Sequence, residues 1–293
     1  MNKKTLAFIG GDMRQAAAAM RLSELGFSVS AWGIPGVIPD AVNRLDSIES
    51  AFGADVLILP LPVSKDGISV NCTGDFADSS PKIEQVFCGA GRSPVLAGSI
   101  SPRIADQAAR MGVRLYDYYD SEELMINNAY LTAEGAISLA MNELNVSLLG
   151  ARVCVIGYGR IGKFLARMLS AIGASVTVAA RKGTDIAYAA GFGLDTLRIT
   201  YSDGQSSLCS LGDYRIIFNT APYRLLDAQV LACISKEALI IDLASAPGGF
   251  DPEAARHLGR RVISAPGLPG KYAPLTAGRF VGDAIATLLP KIN

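Results

Sequence analysis

The sequence predicts an α/β protein of two doubly wound parallel-sheet domains, with a C-terminal helix that returns to the first. Three observations predict it. Short apolar runs alternate with helical stretches that stop at glycine. That plan occurs twice along the chain. And 293 residues, 50% of them hydrophobic, suffice to bury two cores of ordinary size.

The first copy opens with an apolar strand at 5–9, which runs into Gly10-Gly11-Asp12. A helix over 13–25 stops at Gly26, and a strand follows at 27–32. Gly53-Ala54-Asp55 then leads a buried run at 56–59 that ends in Pro60-Leu61-Pro62. The second copy has a strand at 152–156, the turn Gly157-Tyr158-Gly159, a helix over 161–172 stopped by Gly173, and a strand at 175–179. Its later strand, 215–218, ends in Asn219-Thr220-Ala221-Pro222, and another ends in Asp242-Leu243-Ala244-Ser245. Continuous apolar runs mark parallel strands covered on both faces. Between the copies, 129–144 reads as a helix with Ile137, Ala140, Met141 and Leu144 apolar and Thr132 as its cap. A last helix, 277–289, is ended by Pro290. The expected domains are 1–128, then 129–276 including the junction helix, then 277–293 packed back on the first. The two helices are expected to form a hinge, with the active site in a cleft between domains.

Composition excludes several functions. Lys plus Arg and Asp plus Glu both number 27, so no basic excess points to nucleic acid. The apolar run at 5–9 is too short for a signal-peptide core, and no run reaches membrane-span length, which predicts a cytoplasmic protein. The five cysteines, Cys72, Cys88, Cys154, Cys209 and Cys233, are odd in number and scattered, so neither disulfides nor a metal site is expected.

The sharpest motif is Gly157-Tyr158-Gly159-Arg160-Ile161-Gly162, which follows an apolar strand and opens a helix. In a Rossmann domain Gly157 makes the tight turn, Gly159 admits a pyrophosphate to the backbone, and Gly162 lets helix and sheet pack closely. The helix N-terminus then holds the diphosphate, with Arg160 in reach of it. The strand after the motif ends in Ala180-Arg181-Lys182, where NAD enzymes carry an acid for the ribose hydroxyls. Arg181 and Lys182 match a 2′-phosphate instead, so NADP is the expected cofactor. Thr220, Ala221 and Pro222 are expected beside the nicotinamide half. Asp242 either binds ribose or amide or caps a turn. The Gly-Pro-rich segment 266–276, with Pro266 and Gly267, is expected as a loop beside the nicotinamide.

Further runs carry a resemblance: Ile9-Gly10-Gly11-Asp12-Met13-Arg14-Gln15, Thr132-Ala133-Glu134-Gly135, the glycine turn itself, Asp242-Leu243-Ala244-Ser245-Ala246-Pro247-Gly248-Gly249, Ala265-Pro266-Gly267-Leu268-Pro269-Gly270 and Ala273-Pro274-Leu275-Thr276-Ala277-Gly278. In order and nearly end to end, the chain resembles the dipicolinate synthase A subunits. The resemblance implies oxidation of dihydrodipicolinate, formed from the hydroxytetrahydrodipicolinate of the lysine pathway, to dipicolinate in the mother cell of a sporulating bacterium. It also implies a cyclic dicarboxylate substrate and a partner, the flavoprotein-like B subunit; a homo-oligomer is expected as well.

That reaction removes a hydride from a ring carbon and a proton from its neighbour, driven by aromaticity, so a weak base suffices. The one histidine, His257, ends a helix before a strand and is not expected to be catalytic. Arg14, Lys65 and Ser99 follow strand ends and are candidates to hold the carboxylates. Asp12 is either the base or a helix cap. Thr132 and Glu134, at the expected start of the junction helix, either face the cleft or cap. Two other readings stay open: a shikimate-dehydrogenase-like NADP enzyme, and a non-catalytic NADP-binding regulatory subunit.

Overall fold

The computed structural model describes residues 4–36, 40–245 and 247–292. Ala246, within the 242–249 run, lies outside them. The chain divides into two compact units, one of Met1–Asn128 with Ala273–Asn293, the other of Ala129–Tyr272.

In the first unit β1 (Thr5–Ile9), α1 (Met13–Glu24), β2 (Ser28–Trp32), β3 (Asn43–Arg44), β4 (Val56–Ile58), α2 (Ile83–Ala90), β5 (Val95–Ala97), α3 (Pro102–Arg110) and β6 (Leu115–Asp117) follow in order. Their sheet is entirely parallel and runs β3-β2-β1-β4-β5-β6, so strand order reverses between β1 and β4. Val56, Leu57 and Ile58 are all buried, as expected of strands covered on both faces. Two apolar clusters follow, one around Phe8, Leu22, Ile58 and Tyr118, the other around Ile9, Leu57, Phe87 and Ile104. Each fully buried Leu or Ile in them stabilises the fold by about 1.5–3 kcal/mol.

The helix α4 (Glu122–Glu143) follows, then β7 (Arg152–Ile156), α5 (Arg160–Ala171), β8 (Ser175–Ala180), α6 (Gly183–Gly191), β9 (Asp195–Arg198), a small hairpin β10 (Tyr201–Ser202) and β11 (Gln205–Ser206), β12 (Ile216–Asn219), α7 (Ala228–Cys233), β13 (Leu239–Asp242), α8 (Pro252–His257), β14 (Arg261–Ser264) and α9 (Leu268–Tyr272). The second sheet is also parallel and repeats the order of the first, β14-β13-β12-β7-β8-β9. Its switch point lies between β7 and β12, where ligands of such sheets sit beyond the carboxyl ends. The last α-helix is α10 (Pro274–Leu288), followed by a short 3-10 turn at Leu289–Lys291.

Within the first unit α10 packs closely on α1. A Cβ at Gly278 would overlap the Arg14 carbonyl, and one at Gly282 would lie 2.8 Å from Arg21 Cβ. Glycines four apart share a helix face, so this contact needs both. Arg21 Nε also donates to Asp283 at 2.6 Å.

Two expectations need correction. The junction helix begins at Glu122, not near residue 129, and runs unbroken to Glu143. Thr132 is therefore no cap: it lies mid-helix and is buried. Glu134 is also mid-helix, on an exposed position. Asn127 and Asn128 are weak helix formers that hide the true start, but Leu124, Ala129, Leu131 and Ala133 are buried, and packing overrides propensity. Ser121 stands before the first turn, its hydroxyl accepting from Leu124 N–H at 3.3 Å. The segment 266–276 is likewise mostly helical rather than a loop, holding α9 and the first turn of α10. Pro274 stands in the opening turn of α10, where proline's missing N–H costs nothing.

Candidate functional site

In the second unit, Gly157 leaves β7 at φ +95°, a conformation open to glycine. Its N–H donates to the Ala179 carbonyl at 2.8 Å. Thr220, just past β12, donates both its N–H and its hydroxyl to the Ile156 carbonyl, at 2.8 and 3.0 Å. A Cβ on Gly157 would overlap that hydroxyl, and a Cβ on Gly162 would overlap the Gly157 carbonyl. Both glycines are thus demanded by the protein's own packing.

Gly159 differs. Its φ of −78° suits any residue, and a Cβ there would meet nothing within 4 Å. It is the N-cap of α5, yet no side chain caps that helix. The opening amides of α5 have no acceptor within the helix, and the space beside Gly159 is open among the described residues. That is the arrangement that receives a diphosphate, an anion at the positive end of a helix dipole. Ile161 packs partly buried on the core below, while Arg160 is exposed in the first turn. Burial, and then Asp185, raises the Tyr158 hydroxyl above the ordinary tyrosine range.

At the end of β8, Arg181 and Lys182 are exposed, and Lys182 is the N-cap of α6 with no side-chain cap bond. The Arg181 guanidinium lies 4.5 Å from the centre of the Tyr223 ring. Tyr223 follows β12 and was not anticipated from the sequence; only its aromatic character in a strand-end loop could have flagged it. Of the residues between, Ala221 is partly buried and Pro222 exposed. Pro266 and Gly267 are exposed ahead of α9, and a Cβ at Gly267 would meet nothing.

Asp242 is 1% exposed. Its carboxylate accepts from Asn219 Nδ2 at 2.7 Å and from the Gly249 N–H at 3.1 Å. Asn219 in turn brackets Ala221, accepting from its N–H and donating to its carbonyl. The Asp242 carboxylate is spent on the fold, and holds the β12 and β13 exits in place.

In the first unit, Asp12 caps α1, accepting from Arg14 N–H at 2.9 Å. Both its oxygens also accept from the Arg14 guanidinium, and Arg14 Nη2 donates to the Leu61 carbonyl at 2.6 Å. The Arg14 side chain is only 12% exposed, against 28% for Asp12. Arg14 thus sits at the switch point, between the exits of β1 and β4. Lys65 is exposed in the loop after β4, beside Asp66. Asp66 lies well below the usual carboxylate range because Ser69 and Ile68 N–H groups, then the Ser64 hydroxyl, donate to it. Ser99 is exposed with φ +57°, and its N–H donates to Asp117 at 3.0 Å. Asp117, unremarked in the sequence, also accepts from Ile100 and Tyr119 and so fixes the β5 exit. Thr132 and Glu134 lie within α4, in the second unit, and His257 is an exposed helix end. No helix among the described residues is long and apolar enough to cross a membrane.

Two parallel sheets of this strand order, one with an open, uncapped glycine turn, define a dinucleotide-binding dehydrogenase architecture. Residues 5–119 match the family model of the N-terminal domain of the dipicolinate synthase A subunit, and residues 153–263 that of the saccharopine dehydrogenase NADP binding domain. The chain is 31% identical to the dipicolinate synthase A subunit of Bacillus subtilis (strain 168), over 98% of this chain and 96% of that protein. Two solved structures are similar throughout: the dipicolinate synthase A subunit of Bacillus halodurans (29% identity, TM-score 0.85, covering 98% of this chain and 97% of that one) and the A chain of the Bacillus subtilis enzyme (28%, 0.82, 99% and 97%). The chain belongs to the family of dipicolinate synthase A subunits. It is an oxidoreductase whose second unit is an NADP-binding domain.

Proposed function

We propose that this chain oxidises dihydrodipicolinate, derived from the lysine-pathway hydroxytetrahydrodipicolinate, to dipicolinate during sporulation. It acts as the A subunit of dipicolinate synthase in the mother-cell cytoplasm, and its partner is the flavoprotein-like B subunit. The observation that carries the reading is the open turn at Gly159 in a chain of this family.

The residues fit the cofactor. Gly157, Gly159, Arg160, Ile161 and Gly162 would hold the diphosphate at the N-terminus of α5. Arg181 and Lys182 supply positive charge at the 2′-phosphate end. Thr220, Ala221, Pro222, Pro266 and Gly267 would border the nicotinamide half, on a floor that Asn219 and Asp242 keep rigid. Bound NADP supplies a hydride acceptor. The chain's own task is to orient a flat dicarboxylate. Arg14, fixed by Asp12 and by the Leu61 carbonyl, keeps Nη1 for a ring carboxylate. Lys65 would take the second carboxylate, and Ser99 would add a hydroxyl at the neighbouring strand exit. Asp12 works through Arg14 as a positioning residue. Aromatisation drives loss of the ring proton, so no strongly shifted base is required.

The test is a coupled assay with the precursor, NADP and the B subunit, each component omitted in turn, following NADPH and dipicolinate together. The expected result is equal amounts of both, only when this chain is present, and neither with Gly159→Val. Product formed at full rate without this chain, or by the Gly159 variant, would overturn the reading. Arg14→Ala is expected to raise KM for the dicarboxylate with NADP affinity intact.

A further inference from the structure

A third arginine stands where the glycine motif gives no hint of one. Arg198 is the last residue of β9, and the register places it beside Ala180, the last residue of β8. Both terminal nitrogens of its guanidinium lie 3.9 Å from where a Cβ of Gly183 would stand. Gly183 opens α6 directly after Arg181 and Lys182. The tips of two neighbouring strands and the first turn of one helix therefore set Arg198 beside the backbone that directly follows Lys182. Neither Arg181, Lys182 nor Arg198 makes an ion pair among the described residues, and all three are exposed. The acid of that turn, Asp185, acts on the Tyr158 hydroxyl and pairs with none of them. Cations gathered at one strand edge without an ion pair repel one another, and a dianion bound there would relieve that repulsion.

Arg181 is oriented differently. Its guanidinium lies 4.5 Å from the Tyr223 ring centre, a cation–π contact too close to hold another ring between the two. Tyr223 follows β12 and Arg181 follows β8, so the pair spans the carboxyl edge over β7, the strand that leads into the Gly157 turn.

We propose that Arg198, with Lys182, is the anchor of the NADP 2′-phosphate, and that Arg181 and Tyr223 are a clasp that parts to take the adenine ring between them. Arg181 thus recognises the base by its flat face, and Arg198 reads the phosphate that distinguishes NADP from NAD. The inference rests on the proposed seat of NADP and divides the labour among its cations.

The test uses the full chain and two fragments of the cofactor, adenosine 2′,5′-bisphosphate and adenosine 5′-monophosphate, titrated by calorimetry. The wild-type chain is expected to prefer the bisphosphate. Arg198→Ala is expected to lose about tenfold or more for the bisphosphate, the scale of one charged hydrogen bond, and to leave the monophosphate unchanged. Arg198→Lys should recover part of that loss. Arg181→Ala and Tyr223→Ala should weaken both fragments by a common factor, leaving their ratio as in wild type. A preference retained in Arg198→Ala, or lost instead in Arg181→Ala, overturns the inference while the proposed cofactor seat stands. A wild-type chain with no preference for the bisphosphate overturns both.

Discussion

The two sheets begin with the same strand–turn–helix unit, yet only one turn is open to a ligand. After β1 the turn is Gly10-Gly11-Asp12; after β7 it is Gly157-Tyr158-Gly159. Gly10 and Gly157 both leave their strands at positive φ, +74° and +95°. The first turn is then filled from within. A Cβ at Gly10 would meet Cys72 Sγ at 2.7 Å, and one at Gly11 would overlap Gln15. The Thr73 hydroxyl donates to the Gly11 carbonyl at 2.8 Å. Asp12 brings its own anion to the amides of α1. The second turn has glycine at the N-cap, no capping side chain and, among the described residues, nothing within 4 Å of where a Gly159 Cβ would stand. A helix N-terminus becomes a nucleotide site only where the chain withholds its own cap.

Substitutions can break this contrast, and the largest effect falls on packing. Gly162→Ala drives a methyl group into the Gly157 carbonyl, a backbone atom that cannot step aside. It should cost about 3 kcal/mol, read as a lower Tm of the ligand-free protein. Asp12→Ala removes the cap of α1 and leaves the Arg14 guanidinium without its carboxylate. About 2 kcal/mol of stability should go, measured by denaturant unfolding, with NADP affinity unchanged. If NADP affinity fell with it, the first turn would not be the closed one. Gly159→Val is the converse: the backbone there tolerates a side chain and nothing is in its way. The unfolding free energy without ligand should hold within about 0.5 kcal/mol, the range of a neutral surface change, while NADP affinity falls by at least about tenfold. Unchanged affinity would mean that the nucleotide does not use this turn.

The smallest effect is a pH dependence confined to the first unit. In the loop after β4, the N–H groups of Ser69 and Ile68 donate to Asp66 and hold its carboxyl well below the ordinary range. A carboxyl whose folded value is lowered stabilises fully above its unfolded value and loses that contribution as pH falls through the folded one. The loop of Ser64, Asp66, Ile68 and Ser69 should therefore be fully ordered above about pH 4 and loosen on further acidification. Amide exchange at Ile68 and Ser69 reports it. Asp66→Asn should remove the pH dependence, and amides of α5 should show none of it.

Much of the architecture was legible in the chain because parallel strands buried on both faces read as apolar runs and glycine punctuates the helices between them. Short edge elements such as β3, β9 and the β10–β11 hairpin were not legible, since two to four partly polar residues carry no period. The start of α4 was hidden for a different reason: Asn127 and Asn128 argue against a helix that burial of Leu124 and Ala129 enforces. At the site, spacing alone identified Gly157, Gly159 and Gly162 as a set. It could not tell that two of them answer to internal packing and one to open space.

Sequence alone thus determined the two parallel sheets, the place of the glycine turn and the absence of an acid at the tip of β8, because each follows from local periodicity or from residues adjacent in the chain. Tertiary structure decided which turn is open, that Asp242 is consumed by Asn219 and Gly249, and that Arg198 and Tyr223 reach the ends of strands distant in sequence. Those outcomes depend on which side chains a sheet brings side by side, and strand order is written in no single stretch of the chain.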